Sequence, residues 1–311
     1  MWREHQQEQI VHLYQNTVGG FLLFYSVIDF LVFFSLVCTA ARRNHLRLLA
    51  VIPMFDHLHL LIEARSRESV APFVDVYTSG YSKALNHSLG SSGAVSNPGF
   101  GCAIKSGEKA IRTACSYAYN NPGEKGLCHR AEAYRWTFLA YAQSANPFSE
   151  KIVLSRASAP FRRALKMIDY WRNAGLPLRH QWLEPLFLPL QKKEREQLTD
   201  YIITAYNALD YQRLISFYGD HTKMCLSFFS NQGSEYDIRE SFIPGSHRQY
   251  LEIASFLRKI CHYANVKDAL RLPEQERRTL ADNVISGTRI PPRFVYKYLR
   301  LVEDKPLDIK H

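Results

Sequence analysis

The chain has 311 residues, a length that excludes one small domain as the whole protein. Hydrophobic residues make up 46% of it, enough for a full hydrophobic core. Its 39 Lys and Arg against 29 Asp and Glu give a net charge of +10, which favours a polyanionic partner such as nucleic acid or an anionic membrane surface. The six cysteines form no C-x-x-C pair and follow no secretory signal peptide. We therefore expect reduced thiols in a cytoplasmic protein.

The first half of the chain alternates strand-like and helix-like segments. The pattern predicts seven elements in the order β-α-β-β-α-β-α, over residues 9–18, 21–44, 45–54, 56–64, 70–89, 100–106 and 107–121. Pro122 and Gly123 are predicted to end the last helix. A split βαβ order of this kind predicts an α+β fold, with an antiparallel sheet and helices packed on one face.

Residues 21–41 are long and apolar enough to suggest a membrane span, and Arg42 and Arg43 follow them as a cytoplasmic flank would. Asp29 lies inside this segment. A carboxylate there would cost roughly 2.5–3.5 kcal/mol on insertion, and the chain resumes at once as a strand. We therefore expect a core helix and no stable membrane association.

Helical periodicity prevails beyond Tyr141, most clearly over residues 191–219. Residues 230–249 are polar, with two glycines and a proline, and are interpreted as a linker. The predicted domains are a sheet-containing domain over 1–145, a helical extension and linker over 146–245, and a C-terminal domain over 246–311.

The C-terminal domain has the outline of a helix-turn-helix. Pro273 suits a first helical turn, Gly287 suits the turn after that helix, and Pro291 and Pro292 suit the start of a second helix. The second helix would carry three cations at i, i+4 and i+7, which could contact DNA phosphates or base edges: Arg293, Lys297 and Arg300. The alternative is a solvated face on an ordinary helical hairpin.

The predicted strand at residues 56–64 carries two histidines. Because side chains alternate along a strand, His57 and His59 point to the same side about 7 Å apart, and two such imidazoles can share one metal ion. Strand histidines are also common as surface or satisfied core residues. Asp56 is expected to face away from the pair, but it could orient a neighbouring group.

The helix predicted over residues 107–121 supplies possible partners for these histidines. Tyr117 and Asn121 are four residues apart, so their side chains lie on one helix face. A tyrosine can attack a phosphodiester, and a carboxamide oxygen is a ligand that suits Mg²⁺ or Mn²⁺. These arguments do not select Tyr117 over Tyr119 as the nucleophile.

Two segments carry a family resemblance that covers roughly residues 8–140. MFDHLHLLIEA resembles the histidine–hydrophobe–histidine strand of the HUH endonuclease superfamily, and CSYAYNNPGEKGLCHRAEAYRW resembles a block of its REP-associated tyrosine transposases. The resemblance implies a ferredoxin-like HUH fold, metal binding by His57 and His59 with Asn121, and Tyr117 as nucleophile. The sequence departs from the family pattern at three positions: Phe55 for Pro, Ser116 for Arg, and Tyr119 for a position often held by His or another polar residue.

The activity that the resemblance implies is cutting and rejoining of single-stranded or hairpin DNA, in palindromic repeats, through a 5′-phosphotyrosine. It also implies a Mg²⁺ or Mn²⁺ cofactor, a nucleoid-associated location, and either a monomer or a homodimer. Five basic residues flank the expected site and could hold the DNA backbone, although each taken singly is more often a plain surface charge: Arg65, Arg67, Lys105, Lys109 and Arg112. The alternatives are a non-catalytic DNA-binding regulator derived from such a transposase, and a histidine-metal phosphoesterase with small substrates.

Overall fold

Four strands form one antiparallel sheet in the computed structural model, which describes residues 9–230 and 246–302. The strands are β1 (Gln9–Asn16), β2 (Arg47–Pro53), β3 (His57–Ala64) and β4 (Gly101–Lys105). They lie in the order β2-β3-β1-β4, and each neighbouring pair is antiparallel. The helices between and after them are α1 (Val27–Arg43), α2 (Arg67–Leu89) and α3 (Glu108–Glu124). The predicted α+β class and antiparallel sheet are confirmed.

The helices cover both faces of the sheet, so the prediction that they pack on one face is wrong. Helices α1 and α2 bury the face that includes Leu60 of β3, and α3 buries the face that includes Leu61. Every residue of β3 is buried. A strand that is buried on both sides requires cover on both sides, as parallel-sheet strands do in α/β proteins. His57 and His59 have the same parity as Leu61 and therefore lie on the α3 face.

Helix α1 begins later than predicted because Ser26 caps it. The Ser26 hydroxyl accepts a hydrogen bond from the Asp29 amide, and the Asp29 carboxylate accepts one from the Ser26 amide. Asp29 is completely buried, and its carboxylate lies 2.6 Å from Lys267 Nζ and 2.7 Å from His180 Nε2. Within the described residues, no helix is long and apolar enough to cross a bilayer.

Helix α3 runs through Pro122 and ends at Glu124, beyond the predicted stop. Pro122 lies in the last turn, where its missing N–H removes a single helical hydrogen bond. The Lys125 amide still donates to the Asn121 carbonyl at 3.0 Å. Asn121 is therefore held inside a regular helix, one turn after Tyr117.

The middle of the chain is helical, with α4 (Ala159–Asn173), α5 (His180–Phe187), α6 (Lys192–Tyr206), α7 (Tyr211–Ser216) and α8 (His221–Ser230). The helical periodicity predicted over residues 191–219 is observed as two helices, α6 and α7, with a break between them. There the Asp210 amide donates to the Leu48 carbonyl of β2 at 2.8 Å, and the Asp210 side chain caps α7. The hydrogen bond from Asp210 to β2 and the cap on α7 stabilise a break in the helix, although the local sequence has helical periodicity.

The C-terminal segment contains α9 (Ser246–Lys259), α10 (Val266–Leu270), α11 (Glu274–Gly287) and α12 (Pro292–Tyr298). The predicted helix starts after Pro273 and at Pro292 are observed. Gly287 is the last residue of α11 and does not follow it. Helix α9 already covers residues 246–249, so that part of the predicted linker is wrong, while residues 231–245 lie outside the described residues.

The apolar side chains of this C-terminal segment join the same hydrophobic cluster as α1 and α2. The Tyr25 hydroxyl donates to the Tyr298 carbonyl at 3.2 Å, and the two rings meet edge to face. Lys267 reaches the buried Asp29. The three predicted domain ranges stay a prediction, and these contacts show that α9 to α12 pack directly on the sheet-containing part of the chain.

Candidate active site and metal centre

His57 and His59 lie side by side on the α3 face of β3. Their ring centroids are 5.1 Å apart, and they stand opposite Asn16 and Tyr14 of β1 in the strand register. His59 is completely buried and His57 is 7% exposed. The structure thus brings the two predicted ligands together at the interface between the sheet and α3.

The Asn121 carboxamide spans the two histidines. Its Oδ1 lies 3.3 Å from His57 Nε2, and its Nδ2 lies 3.3 Å from His59 Nε2. Asn121 is 1% exposed and is placed by α3, which packs on β3. Two imidazole nitrogens and one carboxamide therefore converge on the same small volume, although they come from two different elements.

Asp56 makes a hydrogen bond with His57, which overturns the expectation that it faces away. Strand alternation does not apply to Asp56, because β3 begins at His57 and Asp56 belongs to the preceding turn. Its Oδ1 lies 2.7 Å from His57 Nδ1. Burial by itself would raise the pKa of Asp56, but hydrogen bonds from His247 and His57 hold that pKa well below its usual range. Asp56 is thus an ionised acceptor.

His57 consequently faces an acceptor at each nitrogen, Asp56 Oδ1 at 2.7 Å and Asn121 Oδ1 at 3.3 Å. With the amide in this orientation, a neutral imidazole has one proton for two acceptors. A cation on the Asn121 side would resolve the conflict. Neighbouring ligands of an octahedral ion with ~2.1 Å bonds are ~3 Å apart, close to the observed 3.3 Å separation. The residues present therefore fit a divalent metal ion.

His12 of β1 is a site residue that the sequence analysis missed. It is completely buried, and its Nε2 lies 3.2 Å from His59 Nδ1. Burial lowers the pKa of His59 well below its usual value, and the neighbouring His57, His12 and Lys125 lower that pKa further. His59 is therefore a neutral imidazole at physiological pH, which is the form that binds metals.

Tyr117 lies beside His59 and His12. Its ring centroid is 5.4 Å from that of His59 and 5.9 Å from that of His12. Tyr117 is 6% exposed. A phenol, two imidazoles and a carboxamide thus line one region. Tyr119, two residues further along α3, turns into the hydrophobic core instead.

A second metal-binding arrangement shares His57. Asp56, His57 and His247 offer ligand atoms that all lie within 4.8 Å of one another and could hold a metal ion. His247 comes from α9, and its Nε2 lies 3.0 Å from Asp56 Oδ1. Burial lowers the pKa of His247, and the hydrogen bond with Asp56 opposes that shift. The cluster around His57 therefore extends from β3 to the C-terminal segment.

Four of the five basic residues predicted to flank the site are exposed: Arg65, Arg67, Lys109 and Arg112. Lys105 is the exception, being 4% exposed and paired with Ile10 in the sheet register. Its position in β4 puts it on the α3 face. Lys105 is therefore a buried residue on the α3 face, whereas we expected a cation on the protein surface.

The predicted cationic face of α12 is not formed as expected. The helix ends at Tyr298, and Arg300 lies beyond it with a left-handed φ of 55°. The Arg300 guanidinium donates to the Leu22 carbonyl at 3.4 Å and covers the ring of Phe21. Of the three predicted cations, Arg293 is exposed, whereas Lys297 and Arg300 are half-buried. Arg300 therefore helps to hold the C-terminal segment against the rest of the chain.

Three buried residues near the predicted ligands were missed: His12, Lys125 and His247. Lys125 follows Asn121 by four residues, so the spacing that paired Tyr117 with Asn121 could have extended to it. His12 lies on a predicted strand, but its alignment with His59 depends on the strand register. His247 has no local signal at all.

No protein-family model matches the chain, and no curated protein matches it. Among solved structures, the chain is similar to a REP-associated tyrosine transposase bound to a REP hairpin, with 12% sequence identity and a TM-score of 0.35. The similarity covers 49% of this chain and 93% of that chain. A TM-score of this size does not establish a shared fold, so function has to be inferred from the residues of the site.

Proposed function

We propose that the protein is a metal-dependent single-stranded DNA endonuclease and strand transferase that acts on hairpin or palindromic repeat DNA. Its sheet would be a ferredoxin-like HUH fold, and α11 and α12 would form a helix-turn-helix. The observation that supports this best is the position of Tyr117, whose ring lies 5.4 Å from that of His59. The phenol is thereby next to the point where His57, His59 and Asn121 converge.

Tyr117 would supply the attacking oxygen. A bond forms between this oxygen and the phosphorus of the scissile phosphodiester, and the bond from phosphorus to the 3′ oxygen breaks. Tyrosine loses its proton and the 3′ oxygen gains one, which leaves a 5′-phosphotyrosine and a free 3′-hydroxyl. Because the phosphodiester energy stays in the covalent link, another 3′-hydroxyl can reverse the step and join a strand.

His57, His59 and Asn121 would hold Mg²⁺ or Mn²⁺, whose role when bound is to polarise the phosphoryl oxygens. Because His59 is neutral, one of its ring nitrogens has a lone pair that can bind the metal ion. Lys125 contributes positive charge from the residue that follows α3. The exposed Arg65, Arg67, Lys109 and Arg112 would hold the DNA backbone by charge.

The test uses labelled single-stranded oligonucleotides that cover the DNA on both sides of the gene and include any inverted repeats found there, incubated with the protein and Mg²⁺ or Mn²⁺. We expect a covalent protein–DNA adduct that survives denaturing electrophoresis, needs the metal, and disappears in Tyr117→Phe. An adduct formed equally by Tyr117→Phe would reject the proposed nucleophile. A hairpin matched in length but scrambled in sequence controls for non-specific binding.

The second candidate is a DNA-binding regulator without catalytic activity. Tyr117 is only 6% exposed, and this observation favours it, because DNA must displace part of the surrounding structure to reach the hydroxyl. In that case the protein would bind the same hairpins tightly and form no adduct at any metal concentration. The same oligonucleotides, followed by gel shift and by denaturing electrophoresis in parallel, separate the two functions.

A further inference from the structure

His247 is held in place from several sides, although it comes from the C-terminal segment. It is the second residue of α9 and is 2% exposed. Its amide donates to the Lys125 carbonyl at 3.2 Å. Its ring packs edge to face on Phe55, with centroids 5.5 Å apart, and lies 5.4 Å from the ring of Tyr250. The imidazole is therefore fixed in one orientation.

This orientation links His247 to His57 through one carboxylate oxygen. Asp56 Oδ1 lies 3.0 Å from His247 Nε2 and 2.7 Å from His57 Nδ1, both within the range of N–H···O hydrogen bonds. A carboxylate oxygen can accept two hydrogen bonds, so this geometry suits one ring N–H donor from each histidine. With Nδ1 protonated, His57 presents the lone pair of Nε2 toward Asn121 and His59.

We propose that His247 is a positioning residue for the metal centre: it anchors Asp56, and Asp56 fixes the tautomer and the ring orientation of His57. This inference rests on the proposed function, because it assigns a supporting role toward the metal that the proposed reaction needs. Outer partners of this kind orient metal-binding histidines in general. Here the outer partner is a histidine of the C-terminal segment.

The competing arrangement makes His247 itself a ligand, with Asp56 and His57. The two arrangements use different nitrogens of His57. An ion between Asp56 and His247 would take the Nδ1 lone pair, leaving a proton on Nε2 and removing His57 from the site near His59. The 2.7 Å contact favours the positioning role, because it has the length of a short N–H···O hydrogen bond, whereas the 3.3 Å separation between His57 Nε2 and Asn121 Oδ1 is close to the ~3 Å spacing of two neighbouring ligands on one ion.

The experiment measures Mn²⁺ affinity of the full chain in the absence of DNA, from the electron paramagnetic resonance signal of free Mn²⁺. His247→Leu removes the donor to Asp56, and His247→Gln keeps an amide donor at the same reach. We expect about 10–100-fold weaker binding for His247→Leu and nearly wild-type binding for His247→Gln. His129→Leu, at an exposed histidine, is the matched control and should bind as wild type does.

Three outcomes would overturn the inference: unchanged binding in His247→Leu, equal losses in His247→Leu and His247→Gln (which would make His247 a ligand), or no Mn²⁺ binding by the wild type. Nitrogen-15 spectra of the His57 ring give a second readout. They should show the Nδ1–H tautomer in the wild type and in His247→Gln, and lose it in His247→Leu. Wild-type protein that binds Mn²⁺ but forms no DNA adduct would reject the proposed reaction and not the role of His247.

Discussion

The hydroxyl of Tyr119 donates a hydrogen bond to the carbonyl oxygen of Leu49 at 3.2 Å. The Tyr119 ring is completely buried and stacks on Phe228, and burial raises its pKa well above the usual value. We therefore expect Tyr119→Phe to form the DNA adduct at the wild-type rate and to lose about 1 kcal/mol of stability with the hydrogen bond. Adduct yield and urea unfolding test this, and loss of the adduct would make Tyr119 the nucleophile.

The buried histidines should make the metal-free protein less stable in mild acid. The pKa values of His59 and His247 are lowered in the folded state, while in the unfolded chain histidine titrates near 6.5. Below about pH 6.5 these histidines become protonated in the unfolded chain but stay neutral in the folded protein. The free energy of unfolding therefore falls by up to ~1.4 kcal/mol per pH unit for each such histidine. Urea unfolding with a chelator between pH 8 and 5 measures this slope. A flat profile would contradict it, and His59→Gln should reduce it.

Lys267 should be essential for stability because of its contact with Asp29. Burial would raise the pKa of Asp29, but Lys267 and His180 hold that pKa well below its usual value. Lys267→Met leaves a buried carboxylate without its nearest cation, at a cost of about 3–5 kcal/mol in the free energy of unfolding. Urea unfolding at pH 7 measures this cost. The double variant Lys267→Met/Asp29→Asn removes the charge and should recover part of it, whereas a double variant as unstable as the single one would count against charge burial as the cause.

Gly101 is predicted to tolerate no side chain. A Cβ atom there would lie 2.0 Å from the Tyr14 ring, which covers this residue of β4. We expect Gly101→Ala to cost at least about 1–3 kcal/mol by overpacking, and Gly101→Ala/Tyr14→Ala to reverse much of that loss. Gly123→Ala is the matched control, because its nearest neighbour would be 3.5 Å away and α3 should gain from alanine. Thermal unfolding of the three variants compares them directly.

The exposed cations near the site should govern the salt dependence of hairpin binding. Lys109 and Arg65 are proposed to contact the DNA backbone, so Lys109→Ala and Arg65→Ala should each reduce the slope of log affinity against log salt by about 1, with no change in sequence preference. Arg300→Ala is a useful contrast, since that guanidinium is engaged with Leu22 and Phe21 and its removal should lower stability. Fluorescence anisotropy at several salt concentrations tests the slope, and an unchanged slope would remove Lys109 and Arg65 from the interface.

The order and type of the first seven elements could be predicted because strand and helix periodicities differ so clearly there. The packing of helices on both faces of the sheet could not be predicted. One face of β3 carries His57 and His59, so the sequence pattern suggests a polar face, and only the structure shows that α3 buries it. The break between α6 and α7 also escaped prediction. It depends on a hydrogen bond between Asp210 and Leu48, which are far apart in sequence.

The site residues that could be predicted are those that lie close to one another in the sequence. His57 and His59 share a strand, and Tyr117 and Asn121 share a helix, so their relative positions follow from periodicity. His12 joins them only through the register of β1 against β3, and His247 only through the packing of α9. Tertiary contacts of this kind leave no spacing pattern to detect.

Of the residues that contact His57, which include Asp56, His59 and Asn121, His247 is the last to be synthesised on the ribosome. It follows Asn121 by about 120 residues, which take roughly 6–25 s to translate at ~5–20 residues per second. During that interval a nascent chain already has Tyr117 and the strand histidines but lacks the hydrogen bond that anchors Asp56. The cluster around His57 is therefore complete only after α9 has been synthesised.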